Sequence, residues 1–216
     1  MRFSATQLES FRLFMQPDQD WLSEDELLAT LTGTFVPTHK INLGQAFGRV
    51  LESPDRYAVP GGYRVQVNHE TFDFGHDVMA DPLACIDVCG VFEAKAVKDY
   101  GSHQVASKAD HLSGARLTEF KTTLGSFDFD KYADSYQWRF MVDAFRPRCV
   151  IYRVFLLSEG SNGVIGLRGM ETFNLFPYAA LHDDCAALVA ACADYATVKG
   201  IAAVFDERQK DAVSPC

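Results

Sequence analysis

Between Val91 and Thr123 the chain alternates apolar and polar residues in three runs, broken only by Gly101-Ser102 and by Ser113-Gly114. Side chains alternate between the two faces of a strand, and Gly/Ser pairs mark tight turns. The pattern therefore predicts an antiparallel three-strand meander: Val91 to Tyr100, Gln104 to Leu112 and Ala115 to Thr123. On the third strand Leu117, Glu119 and Lys121 share one face, while Thr118, Phe120 and Thr122 share the other. Asp110, just before the second turn, folds back beside them. Two carboxylates and a lysine on one face suit a hard divalent cation. Such a cation activates water and polarises a phosphoryl oxygen, and the lysine orients that water or steadies phosphate charge. A lone Glu-x-Lys is more often a solvated surface pair, and that reading stands beside the first.

The segments around the meander frame this site. Ser4-Ala-Thr-Gln7 and Ser23-Glu-Asp-Glu26 are capping boxes that each open a helix, with Pro17 ending the first and Gly33 closing the second. Ile41 to Glu52 carries an apolar stripe of Ala46, Phe47, Val50 and Leu51, with Asn42 as its cap. Tyr63 to Val67 alternates as a short strand, and His69, Glu70, His76 and Asp77 lie in a mixed segment. Met79 to Ile86 reads as helical. A helix is predicted from Tyr132 to Phe145, followed by a doubly buried strand from Cys149 to Leu157 and further strand between Gly163 and Phe176. An Ala-rich helix spans Tyr178 to Val198, and Asp206 to Cys216 reads as a frayed end. Glu93-Ala-Lys95, with Asp87 upstream, is a rival Glu-x-Lys that can line the same cleft.

Asp110, then Glu119-Phe-Lys121-Thr-Thr, then an aromatic helix carrying Gln137, resembles the active-site core of the PD-(D/E)XK nucleases, in their RecB-like and lambda-exonuclease-like branch. The resemblance covers roughly Val88 to Leu157, with an echo at Gly44. It implies an α/β (α+β) fold with a central mixed sheet flanked by helices and a restriction-endonuclease-like core. One domain over residues 1–216 is expected, helical to about residue 60, with the core from about 61 to 205. It implies a Mg²⁺- or Mn²⁺-dependent deoxyribonuclease, an exonuclease of DNA recombination or repair, phage-encoded. Asp110 and Glu119 would hold the metal with the Phe120 carbonyl. Lys121 would position or activate the attacking water, and Gln137 would orient the lysine or a phosphate. Arg139, Lys131 and Lys95 would contact DNA. The family's metal-binding helix histidine is replaced by Gly48, and its helix tyrosine by Met141 or Val142. Glu52, a turn beyond Gly48, either supplies the missing ligand or is a solvated helix end. A degenerate nuclease fold serving as a DNA-binding or assembly module is the alternative function. The family's rings suggest a homo-oligomer, and its pathway suggests a single-strand annealing or recombination partner protein.

Composition bears on these readings. A net charge of −9 argues against a non-specific nucleic-acid coat. From Glu93 to Arg153, however, ten Lys/Arg face eight Asp/Glu, a balance of +2 that leaves −11 elsewhere. No apolar run is long enough to span a bilayer and no signal core opens the chain, so a cytoplasmic protein without membrane contact is expected. The six cysteines form no CxxC pair and read as reduced. Cys85 or Cys89 with Cys185, Cys192 and Cys216 loosely follows the order of an iron–sulfur nuclease but lacks its tight late spacing, so no cluster is expected.

Overall fold

The computed structural model describes residues 1–16, 22–161 and 163–211. The expectations for Pro17 and Cys216 lie outside the described residues. In chain order, β1 (Arg2–Ser4) leads into α1 (Ala5–Phe14), whose capping box is formed as expected by Ser4 and Gln7. The second box, Ser23 with Glu26, opens α2 (Glu24–Thr32), and Gly33 closes it at φ 79°. Then come α3 (His39–Glu52), α4 (Pro54–Tyr57), β2 (Ala58–Val59), β3 (Gly62–Val67), β4 (Glu70–Gly75) and α5 (His76–Ala84). The meander follows as β5 (Val91–Tyr100), β6 (His103–Ser113) and β7 (Arg116–Thr123). The chain continues through α6 (Phe129–Ala133), α7 (Tyr136–Phe145), β8 (Cys149–Glu159), β9 (Ile165–Leu175), α8 (Leu181–Val198) and α9 (Ala202–Asp211).

This is an α+β fold with a central mixed sheet flanked by helices. The sheet runs β1-β6-β7-β8-β9, with β5 on the other edge of β6. Two pairs are parallel, β1 with β6 and β7 with β8; the rest are antiparallel. One sheet face packs on α1, α7 and α8 through Phe3, Leu8, Phe11, Leu117, Phe140, Tyr152 and Val189. The other packs on α3 and the small β2-β3-β4 sheet through Phe47, Val50, Val65, Phe72, Phe74, Phe155 and Leu157. β8 sends side chains into both, as its continuous apolar run predicts. Each fully buried Phe or Leu contributes roughly 1.5–3 kcal/mol to holding the layers together.

Several elements differ from the expectation. The helix predicted from Tyr132 to Phe145 is two helices, because the Ser135 side chain accepts the Gln137 N–H and starts a new helix. α3 begins at His39, ahead of Ile41, with Thr38 at its cap position. Asn42 is therefore inside the helix and buried; it donates to Glu70 Oε1 at 2.6 Å and ties α3 to β4 instead of capping. The mixed segment after Asn68 contains β4, whose Phe72 and Phe74 alternate inward. The N-terminal part expected to be helical also holds β1, which pairs with β6 inside the main sheet. α9 runs into the end expected to fray, and α8 starts at Leu181, three residues later than predicted.

α3 lies close against β7 at Gly44. A Cβ there would stand 2.9 Å from Thr122 Oγ1, so the residue's missing side chain sets the approach. That approach puts the α3 face carrying Gly48 and Glu52 beside Asp110.

Candidate active site

The site arises where two strands part. β6 and β7 pair only through His111 with Thr118, Leu112 with Leu117 and Ser113 with Arg116. Further back, the same edge of β6 belongs to β1, from Gln104 to Ala106. β7 meanwhile stays with β8 along its whole length. A fork opens at Asp110 and Glu119, and the backbone donors there lose their ladder partners. Buried N–H groups need acceptors. The two carboxylates provide them crosswise: Asp110 N–H donates to Glu119 Oε1 at 3.2 Å, and Phe120 N–H donates to Asp110 Oδ2 at 2.9 Å.

Glu119 is almost fully buried, its side chain 4% exposed. The Lys121 ammonium sits 3.1 Å from Glu119 Oε2 and donates to Gln137 Oε1 at 3.3 Å. Lys121 thus pairs directly with Glu119 and feels the Asp110 charge as well. Burial first, and then the Asp110 charge, push the Glu119 carboxyl up to about 7 against the opposing pull of Lys121. Desolvation lowers the Lys121 pKa, but Glu119 first and Asp110 next outweigh it and raise it above the usual lysine value. Lys121 therefore stays an ammonium, a donor and not a base. Burial likewise raises the neighbouring Tyr152 phenol, which stays neutral.

The fork opens on two sides. A cavity of about 420 Å³ is lined by Asp110, Phe120 and Lys121 together with Gly44, Gly48 and Glu52 of α3. A larger one, about 770 Å³, is lined by Lys121, Gln137, Lys131, Tyr132 and Arg12. Lys121 reaches both. Asp110, Glu119 and Lys121 are thus neighbours, Gln137 joins Lys121, Glu119 itself lines neither cavity, and Glu52 shares the smaller one with Asp110. Lys131 lines the larger one. Arg139 lies on α7 among aromatic rings, and Lys95 is exposed on β5 and lines neither cavity. A Cβ on Gly48 would meet nothing within 4 Å, so this face of α3 opens onto empty space.

Glu93 of the rival tripeptide does line the smaller cavity, but its partner there escaped the sequence reading: Lys108 pairs with it at 2.6 Å on the rim of that cavity. Arg49 lines it too, donating to the Gln66 carbonyl at 2.9 Å; its place one turn after Gln45 on the helix was a readable signal. On the far side Glu9 accepts the Tyr136 N–H at 2.6 Å and holds Arg12 at 2.7 Å. Only the fold brings α1 to α7, so nothing local marks that contact.

The donor set fits a small hard cation. Mg²⁺ keeps most of its waters and takes only one or two protein carboxylates. Asp110 and Glu119 repel each other, and a cation between them relieves that repulsion. Among the described residues no three His, Cys, Asp or Glu side chains come together as a metal-binding group. Glu52 would therefore act from across the cavity, through water. Cys185 and Cys192 are packed in the core of α8, where burial pushes both thiols up to about 12.

No protein-family model and no curated protein matches the chain. A solved structure described as "Crystal structure of SSO0001" is similar over 88% of this chain and 73% of that one, at 14% identity and a TM-score of 0.48. At that level the likeness carries no functional argument. Among the described residues no helix is long and apolar enough to cross a membrane.

Proposed function

We propose that the fork is the centre of a metal-dependent phosphodiesterase that cleaves DNA. One observation carries this reading. Two carboxylates exchange backbone hydrogen bonds at a strand fork, one of them buried and pushed up to about 7, with a lysine ammonium 3.1 Å away. Burying that much charge is costly unless something compensates it. Asp110 and Glu119 would hold Mg²⁺ or Mn²⁺ with the Phe120 carbonyl, and Glu52 would orient a water. When bound, the cation supplies a water of lowered pKa and neutralises phosphoryl charge.

The chain's own groups supply the rest. Lys121, held as an ammonium, donates to the attacked phosphate and steadies charge that grows in the transition state. Gln137 keeps that amine from swinging away. Glu119 must lose its proton before it can ligate, so metal affinity rises with pH through about 7. The family resemblance extends this reading to exonuclease action in recombination or repair, to a cytoplasmic setting, and to ring-forming homo-oligomers working with an annealing protein.

Gly48 favours a second reading. With open space where a histidine ligand would stand, the fold would serve as a DNA-binding or assembly module without cleavage. Incubating linear and circular DNA with Mg²⁺, Mn²⁺ or EDTA separates the two. Cleavage in metal that stops in EDTA supports the enzyme. Intact linear and circular DNA in both metals, with DNA bound, supports the module.

A further inference from the structure

We infer that Arg139, Tyr136 and Tyr178 form a docking surface for single-stranded DNA, outside the fork and leading to it. This rests on the DNA-cleaving reading and adds the form of its substrate. The Arg139 guanidinium carbon lies 4.2 Å from the centroid of the Tyr136 ring, 5.6 Å from Trp138 and 5.7 Å from Tyr178. Its Nε is buried without a hydrogen-bond partner. Among the described residues no carboxylate forms an ion pair with it, whereas Arg12, Arg64 and Arg116 each have one. The nearby Asp184 is occupied by the Tyr178 hydroxyl at 2.6 Å.

Arg139 is partly buried, its Nε lacks a partner and no described carboxylate balances its charge, a cost that the ring faces offset only in part. The remainder calls for an anion. A guanidinium held by aromatic rings presents planar donors that match a phosphate. Tyr178 is 38% exposed and the adjacent Phe176 61% exposed, which leaves aromatic surface for a base to cover. Phosphate beside stacking rings is the chemistry of single-strand binding; in a duplex the base faces are already stacked.

Arg12 links this surface to the fork. It also sits over the Tyr136 ring, 5.9 Å from its centroid, and lines the larger cavity with Lys121 and Gln137. A strand laid across Tyr178 and Arg139 would pass around the first turn of α7 and reach Lys121.

The test is fluorescence anisotropy in EDTA, with a labelled oligothymidylate and a blunt duplex of the same length, over a series of salt concentrations. Binding in EDTA is read without any cleavage, so a chain that fails to cut DNA can still pass. Wild type is expected to bind the single strand more tightly than the duplex. Arg139→Gln is expected to weaken single-strand binding about tenfold and to lower the salt slope by roughly one unit. Tyr178→Ala, at an exposed position, is expected to weaken it about tenfold with the slope unchanged. Arg139→Lys is expected to restore the slope but not the full affinity. Wild-type single-strand affinity in both Arg139→Gln and Tyr178→Ala would overturn the inference, as would equal losses for single strand and duplex. If wild type cleaves DNA while these variants bind normally, the fork reading survives and this one falls.

Discussion

Two Glu-x-Lys tripeptides lie in one meander, and the protein treats them oppositely. Glu93-Ala-Lys95 is on β5, at the edge of the sheet. The Glu93 side chain is 40% exposed and pairs with Lys108, itself 51% exposed, while Lys95 points to solvent. Glu119-Phe-Lys121 is on β7, between β6 and β8, with its carboxylate buried against Asp110. The same three-residue pattern gives a solvated pair in one place and a strained charge cluster in the other. Spacing puts two charges on one face; strand order decides whether water or protein surrounds them. Glu93 also sits at φ 54° in a gap in the β5–β6 register, where Phe92 pairs with His111 and Ala94 with Ala109. That missing pair lies opposite Asp110, with no change of register, and Glu93 and Asp110 both line the smaller cavity.

The comparison is tested most severely by removing charges from each tripeptide in turn. Lys121→Ala and Asp110→Asn are each expected to lower the DNA cleavage rate about a hundredfold or more, through lost electrostatic stabilisation and lost metal. Glu93→Gln and Lys95→Ala are expected to change it by about fivefold at most, as for exposed charges. Comparable losses on β5 and β7 in that kinetic assay would erase the distinction.

A second test reads the burial directly. Glu119 has a pKa raised from 4.5 to about 7, so between those values the folded chain binds more protons than the unfolded one. Its contribution to stability is full below about 4.5 and is lost as the pH rises through about 7. Thermal melts in EDTA are expected to show that decline, and Glu119→Gln is expected to flatten it. Glu93→Gln is expected to leave the decline in place.

Smaller effects sharpen the role of α3. Gly48→Ala is expected to stabilise the protein by about 0.5–1 kcal/mol, because its Cβ meets nothing and alanine favours the helix. Gly44→Ala is expected to destabilise it, since that Cβ would press on Thr122 Oγ1 at 2.9 Å. Denaturant melts compare the two. The smallest effect is expected for Lys108→Ala, which breaks the exposed pair with Glu93 and should cost less than about 1 kcal/mol in the same assay.

Much of this contrast is legible in the sequence. Turn residues and alternation placed β5, β6 and β7 nearly to the residue, and the Asp110, Glu119 and Lys121 spacing marked the group that converges. Which Glu-x-Lys is buried was not readable, because that depends on β1 taking the rest of the β6 edge that β7 leaves and on β8 covering β7, both long-range pairings. The break before α7 was readable in Ser135 as a cap, but the aromatic run around it looked continuous. Asn42 looked like a cap and instead bonds Glu70, a partner supplied by β4 across the fold. Glu52 could be placed on the right face of α3 but not across a cavity from Asp110 until Gly44 was seen to let the helix approach.

The central claim is that the fork is a divalent-cation site built on Asp110 and Glu119. Calorimetric titration of the protein with Mn²⁺ near pH 6.5 and near pH 8.5, each in two buffers of different ionisation enthalpy, tests it most directly. At the lower pH a Glu119 carboxyl pushed up to about 7 is largely protonated and must release its proton to ligate. One site is expected, tighter at the higher pH, with net proton release near 6.5, little near 8.5, and no binding in Asp110→Asn. Absence of Mn²⁺ binding at both values, or binding unchanged in Asp110→Asn, would contradict the account.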